Sequence, residues 1–196
     1  MQVILIRHGK TQGNAELRYI GRTDEPLSGD GVALAERLGA DLSVGKVYVT
    51  PLRRTRQTAA ILFPNAEQIV VDDLREMDFG DFEGRSYAEM ERDAAYRVWV
   101  DGDCLAACPN GECRTDFTAR VCAAFEAAVR RAAGQGEETL IFVVHGGTIM
   151  AIMERFALPR REFYSYGVKN CCGYCCNAVL AEELTLTDGI PWEGRR

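Results

Sequence analysis

The chain has 196 residues, 47% hydrophobic and 27% charged, with a net charge of −6 and a pI near 5.1. That length suits one domain with a substantial core, and the acidic balance gives no general reason to bind nucleic acid or an anionic membrane, so any anion site must be local. No apolar run approaches the roughly 20 residues that cross a bilayer and the start carries no secretory pattern, so a cytoplasmic location with eight reduced cysteines is expected.

The first element, "QVILI" over 2–6, reads as a buried parallel strand, and it delivers Arg7, His8 and Gly9 at its end. A helix is predicted from a cap around Ser28 to Asp30 through "GVALAERLGADL". A second strand, "KVYV" over 46–49, leads through Pro51 into a helix over 52–62, followed by a weaker strand, "QIVVDD", over 68–73. The segment 85–114 fits the alternation badly: a helix is predicted over "SYAEMERDAAYRVWV", then the loop "DGDCLAACPNGEC", together an insertion over the sheet edge near the site. A long helix over 115–133 stops before Gly134, the strand "TLIFVV" over 139–144 ends at His145, and a helix over 147–158 stops at Pro159. From Val168 the tail reads as two short edge strands around Gly173. Strands alternating with helices predict a three-layer α/β/α fold over 1–196, a mostly parallel central sheet with helices on both faces.

Ligands of open parallel sheets bind beyond the carboxyl ends of the strands. Here those ends carry both histidines of the chain, His8 and His145, and the arginines Arg7, Arg53, Arg54 and Arg56. Either histidine alone is best read as a satisfied structural residue, and an arginine-rich helix start as solvated surface. Both histidines together, beside Gly9, Gly146 and Gly147, point to a site, and guanidinium forks suit the oxygens of a phosphoryl group.

These residues fall into an ordered series that strongly resembles the histidine phosphatase superfamily, the fold group of cofactor-dependent phosphoglycerate mutases and their phosphatase relatives. Arg7, His8, Gly9, Thr11 and Asn14 match the family's first motif; Gly21, Asp24, Pro26, Leu27 and Gly31 match the second. "TPLRRTRQT" matches Ser-x-Leu-x-Arg-Ala-x-Gln-Thr with Thr50 for Ser and Thr55 for Ala, which makes Arg54 the phosphate-pocket arginine and leaves Arg53 and Arg56 peripheral. "LREMDFGDFEG" matches the acid motif and places the proton donor at Glu76; "PNGEC" resembles Pro-x-Gly-Glu-Ser with Cys113 for Ser; "VVHGG" matches the second histidine motif.

The resemblance implies a phosphomonoesterase in which His8 attacks phosphorus, forms a phosphohistidine and is freed by water. Its other ring nitrogen is expected on a backbone carbonyl near Gly9. Arg7, Arg54 and His145 would stabilise the transferring group, with Thr11, Asn14, Gly21 and Gly146 on the substrate, and Glu76 would protonate the leaving alkoxide. Asp78, Asp81 and Glu83 are its neighbours, ranked below it only by the motif. The partner implied is a small-molecule phosphomonoester; the acid motif looks like that of phosphatases acting on α-ribazole phosphate. No cofactor and no metal is required.

Three alternatives stand beside this reading. A phosphoglycerate mutase would need to shield its phosphohistidine from water, and the short chain and the "DFEG" ending favour a hydrolase. A metal or redox module could use Cys171, Cys172, Cys175 and Cys176, or Cys104, Cys108 and Cys113, although adjacent cysteines on a strand point to opposite faces. A third is an inactive relative that only binds phosphorylated ligands. In the insertion Tyr87, Met90, Tyr96 and Trp99 could contact an organic group or simply pack; the oligomer is a monomer or a homodimer.

Overall fold

Strand β4 (Thr139–Val144) is buried at every position from Leu140 to Val144, as an all-apolar strand must be when covered on both faces. It lies between β1 (Gln2–Arg7) and β2 (Lys46–Val49) in a six-stranded sheet completed by β3 (Glu67–Val70), β5 (Gly173–Leu180) and β6 (Leu184–Trp192), in the order β3-β2-β4-β1-β5-β6. The first four of these are parallel; β5 runs antiparallel to β1 and β6 antiparallel to β5. The computed structural model describes residues 1–194.

The period-2 alternation of the strands sorts the core onto two faces. Val3, Leu5, Phe142 and Val144 pack against α5 (Arg114–Gly134) and α6 (Gly146–Phe156), through Phe117, Val121, Phe125, Ile149, Ile152 and Met153. On the other face Ile6, Val47, Val49, Ile141 and Val143 meet Ala35 of α2 (Gly29–Arg37) and Ala59 and Leu62 of α3 (Arg53–Leu62). The α/β/α layering follows directly. Two short helices, α1 (Gln12–Ala15) and α4 (Ala94–Asp101), lie outside it in the chain order β-α-α-β-α-β-α-α-β-α-β-β.

Several predicted boundaries move. Helix α2 stops at Arg37 because Gly39 takes a left-handed φ of +78°, which favours glycine. The helix predicted from Ser86 begins only at Ala94, where the Asp93 carboxylate accepts from the N–H groups of Ala95 and Tyr96 at 3.1 and 3.3 Å; Ser86 bridges to Arg18 and residues 87–92 form turns. The strand predicted to 73 ends at Val70, and a 3₁₀ turn follows at Asp72–Leu74. In the tail, Gly173 opens β5 instead of separating two strands: a Cβ there would stand 1.7 Å from the Leu5 carbonyl oxygen, so the close approach of β5 to β1 demands glycine. The segment 85–114 joins the main core, with Met90, Tyr96, Trp99 and Cys108 in the same cluster as α5 and α6.

Candidate active site

The register of β1 and β4 sets Arg7 beside Val144, and therefore delivers His8 and His145 side by side where the strands end. Their ring centroids are 5.2 Å apart at 65°. His8 N–H donates to the Val144 carbonyl at 3.0 Å, which fixes the backbone under the ring. His8 Nδ1 lies 2.6 Å from the carbonyl oxygen of Gly9. A carbonyl only accepts, so Nδ1 carries the proton and Nε2 carries the lone pair, as expected from the sequence. Gly9 is itself pinned, its N–H donating to Thr58 Oγ1 at 2.8 Å while that hydroxyl donates to the Arg54 carbonyl at 2.7 Å.

Arg54 reaches the site from the first turn of α3 and is fully buried. Its guanidinium donates to the carbonyls of Thr23 and Gly21, both at 2.7 Å, and its Nε to His145 Nδ1 at 3.3 Å. Accepting at Nδ1, His145 must carry its proton on Nε2, which faces Thr50 Oγ1 at 3.0 Å. The Thr50 hydroxyl passes on to Thr55 Oγ1 at 2.9 Å, which donates to the Leu52 carbonyl at 2.8 Å. The two threonines that depart from the family motif thus close a chain that sets the His145 tautomer. Burial, then the charges of Arg54 and Arg7, holds His8 well below the usual histidine range; His145 is lowered by burial, Arg54, His8 and Arg7. Both imidazoles are neutral at pH 7.

Arg7 Nη1 donates to the Val168 carbonyl at 2.8 Å, whereas its Nε is buried with no hydrogen-bond partner. Among the described residues it is the single buried side-chain nitrogen or oxygen left in that state. Such a donor is costly in a folded protein and marks a place for an acceptor.

Glu76 stands at the N-terminus of α6. The Gly147 N–H donates to its Oε2 at 2.8 Å and the Met77 N–H to its Oε1 at 3.1 Å. Burial raises its pKa above the ordinary glutamate value, opposed by these two bonds and by Arg54 and Arg7. A Cβ at residue 147 would lie 2.2 Å from Glu76 Oε1, so glycine is what lets the carboxyl approach the helix end. The neighbouring acids are engaged elsewhere: Asp78 with Arg22 at 2.9 Å, Asp81 with Asn110 at 3.1 Å, and Glu83 with the N–H groups of Gly21 and Arg22 at 3.0 and 2.7 Å.

Two concavities meet at Arg7, Tyr19 and Val168. One, of about 310 Å³, has Glu76 and Gly147 at its floor and walls of Phe79, Trp99, Phe117, Met150 and Phe163. The other, of about 520 Å³, is more open and carries the polar side chains of Asn14, Arg18, Tyr87, Lys169 and Asn170. Gly146 lines the first, and a Cβ on it would lie 3.4 Å from Arg7 Nε. Asn14 Oδ1 accepts from Thr11 N–H and from Asn170 Nδ2, both at 3.2 Å, which leaves the Asn14 amide nitrogen for a ligand. Thr11 is buried as the cap of α1, and Gly21 is buried as a carbonyl partner of Arg54. Of the aromatic residues singled out in the insertion, Trp99 lines the apolar cavity and Tyr87 the polar groove, while Met90 and Tyr96 are buried in the core. Arg53 and Arg56 are exposed. Sequence reasoning gave no role to Val168 or to Thr58, although Thr58 closes the arginine motif. All eight cysteines are free thiols, and no group of three or more His, Cys, Asp or Glu among the described residues is arranged to hold a metal ion.

The three-layer α/β fold thus brings together two buried imidazoles, the buried Arg54 and half-buried Arg7 guanidiniums and the Glu76 carboxyl, a donor set of the kind that suits a phosphoryl group. Comparison with known proteins agrees: residues 3–178 match the model of the histidine phosphatase superfamily (branch 1), and the chain belongs to that superfamily. A protein of Escherichia coli O1:K1 named "Probable phosphoglycerate mutase GpmB" is 34% identical over 179 residues, 87% of this chain and 82% of that one. The "Uncharacterized phosphatase PhoE" of Bacillus subtilis strain 168 is 28% identical over 186 residues, 92% and 89% of the two chains. Among solved structures, the α-ribazole phosphatase of Shigella flexneri superposes with a TM-score of 0.80 at 26% identity, covering 95% of this chain and 94% of the other. Among the described residues no helix is long and apolar enough to cross a membrane.

Proposed function

We propose that the chain is a phosphomonoesterase that hydrolyses a small-molecule phosphate ester through a phosphohistidine on His8. The observation that carries this reading is the buried, unpartnered Arg7 Nε, on a guanidinium whose charge reaches both His8 and His145, the two rings lying 5.2 Å apart. Together with Arg54 it supplies fixed positive charge and a donor for a phosphoryl group, and neutral His8 Nε2 supplies the nucleophile. In the first step the Nε2–P bond forms, the ester P–O bond breaks, and the Glu76 proton goes to the leaving alkoxide. In the second, water attacks phosphorus, its proton passes to the Glu76 carboxylate, and the P–N bond breaks to release inorganic phosphate and neutral imidazole. The same carboxyl therefore serves first as acid and then as base.

Glu76 lines the apolar cavity, so the leaving group lies there, between Phe79, Trp99, Phe117 and Phe163. Such walls suit a flat, largely apolar group, and the benzimidazole riboside of α-ribazole phosphate is the substrate this favours, in keeping with the Shigella neighbour. The mutase reading rests on the names of the Escherichia and Klebsiella relatives. Phosphate release from α-ribazole phosphate, sugar phosphates and phosphoglycerates, measured beside phosphoglycerate mutase activity, decides between them. Release from the riboside phosphate with the highest kcat/KM is expected; mutase turnover with negligible hydrolysis would overturn the reading.

A further inference from the structure

Glu76 is carried by a stretch of chain that no strand supports. It lies between the 3₁₀ turn at Asp72–Leu74 and a second at Gly80–Phe82, and its backbone groups find side chains in place of a ladder. One ion pair collects them. Arg120, in the second turn of α5, meets Glu112 in a two-pronged contact, Nε to Oε1 at 2.9 Å and Nη2 to Oε2 at 2.8 Å. The remaining prong of the guanidinium, Nη1, donates to the carbonyls of Asp73 and Arg75 at 2.8 and 3.3 Å. From the other side, Glu112 Oε2 accepts the Asp78 N–H at 2.9 Å, and the Glu112 N–H donates to the Asp78 carbonyl at 2.9 Å. These bonds bracket Glu76: the Arg75 carbonyl belongs to the peptide group just before it, the Asp73 carbonyl lies two peptides further back, and the Asp78 groups lie two residues beyond it.

We propose that Glu112 and Arg120 are positioning residues for the proton donor, fixing the Glu76 carboxyl over the leaving-group oxygen without touching substrate. The close packing of the two segments fits this role: a Cβ on Gly111 would lie 2.5 Å from the Asp78 carbonyl, and one on Gly80 2.1 Å from that of Pro109. The pair is partly buried, with side-chain exposures of 20% for Arg120 and 26% for Glu112, so water does not freely replace its bonds. A guanidinium is needed because a lysine ammonium cannot hold a carboxylate side-on and reach two carbonyls at once. Losing the clamp lets the carboxyl drift, and a misplacement of about 1 Å can cost on the order of 10²-fold in rate.

The proposal rests on Glu76 being the proton donor, and the test separates the two. Values of kcat/KM, which report events up to formation of the phosphoenzyme, are compared for an alkyl phosphate, whose alkoxide needs a proton, and p-nitrophenyl phosphate, whose phenolate leaves without one. In Arg120→Met the alkyl value is expected to fall roughly 10- to 100-fold while the p-nitrophenyl value falls less than about 3-fold. Glu112→Gln and Arg120→Lys should show the same pattern more weakly, and a retained p-nitrophenyl kcat/KM is the proof of folding. Equal losses for both esters across the three variants, or no loss for either, overturn the proposal. If Glu76→Gln itself spares the alkyl ester, the reading of Glu76 fails, and the clamp proposal falls with it.

Discussion

The two halves of the site are built in opposite ways. His8 and His145 stand at the ends of adjacent parallel strands, with Arg54 in the first turn of a helix, so their positions follow from the sheet and its register. Glu76 stands between 3₁₀ turns and is held by Gly147, Glu112 and Arg120 from elsewhere in the chain. The lesson is that the nucleophile is fixed by the fold as a whole and the proton donor by a few side-chain bonds. Damage should therefore be all-or-none on one side and graded on the other.

The largest test of that contrast is His8→Asn. Removing a nucleophile of this kind is expected to cost roughly 10⁴–10⁶-fold in kcat, with no acid-labile phosphoenzyme trapped after quenching; substantial residual turnover would show that attack does not depend on the strand-held ring. Glu76→Gln comes next, with about 10²–10⁴-fold lost in kcat for alkyl esters. Because the Glu76 pKa is raised by burial, the free enzyme holds its proton into a higher pH range than an ordinary glutamate, and the rate should fall as pH climbs past that value. The glutamine variant should lack this alkaline limb, which a pH profile of kcat/KM would show.

A smaller effect appears in stability. Both histidines titrate below 6.5 in the folded state because burial disfavours the imidazolium. Below that pH the unfolded chain binds more protons, so folded stability falls as pH drops from 6.5 toward the native values. The melting temperature of the wild type should therefore decline over this window more steeply than that of His145→Asn; parallel curves would contradict the burial of a neutral ring. The smallest effect lies on the proton-donor side of the molecule, where Cys113 caps α5 with its sulfur accepting from the Asp116 N–H at 3.3 Å. Cys113→Ser should stabilise the chain by about 0.5–1 kcal/mol, since hydroxyl oxygen is the stronger cap acceptor, and thermal unfolding would measure it.

The same contrast governs what could be read from the residues. Strands β1, β2 and β4, helices α3, α5 and α6, and the convergence of Arg7, His8, Arg54 and His145 were legible because apolar runs, periodicity and strand-end placement are local signals. The start of α4 was misplaced because Asp93 overrides a continuous helical pattern. The tail hairpin was drawn in the wrong place because Gly173 looks like a turn residue and is in fact a contact residue against Leu5. Among the acids, only the motif could single out Glu76, for the bonds that separate it from Asp78, Asp81 and Glu83 join residues far apart in the chain. The Thr50–His145 bond was invisible for the same reason, although both residues sit inside quoted motifs.

Strand β1 is flanked by β4 on one side and β5 on the other, and the His8 and Arg7 amides donate to Val144 and Cys172 at 3.0 and 2.9 Å. In amide hydrogen exchange such groups exchange only through opening of the central sheet, whereas the 72–82 stretch, which belongs to no strand ladder, is expected to open at a lower free energy. Under mild denaturant the enzyme should thus pass through a form that has lost its proton shuttle but keeps an intact nucleophile. That form would still accept a phosphoryl group from an activated ester and would be slow to give it up, so partial unfolding would be recorded as accumulated phosphohistidine before any global transition.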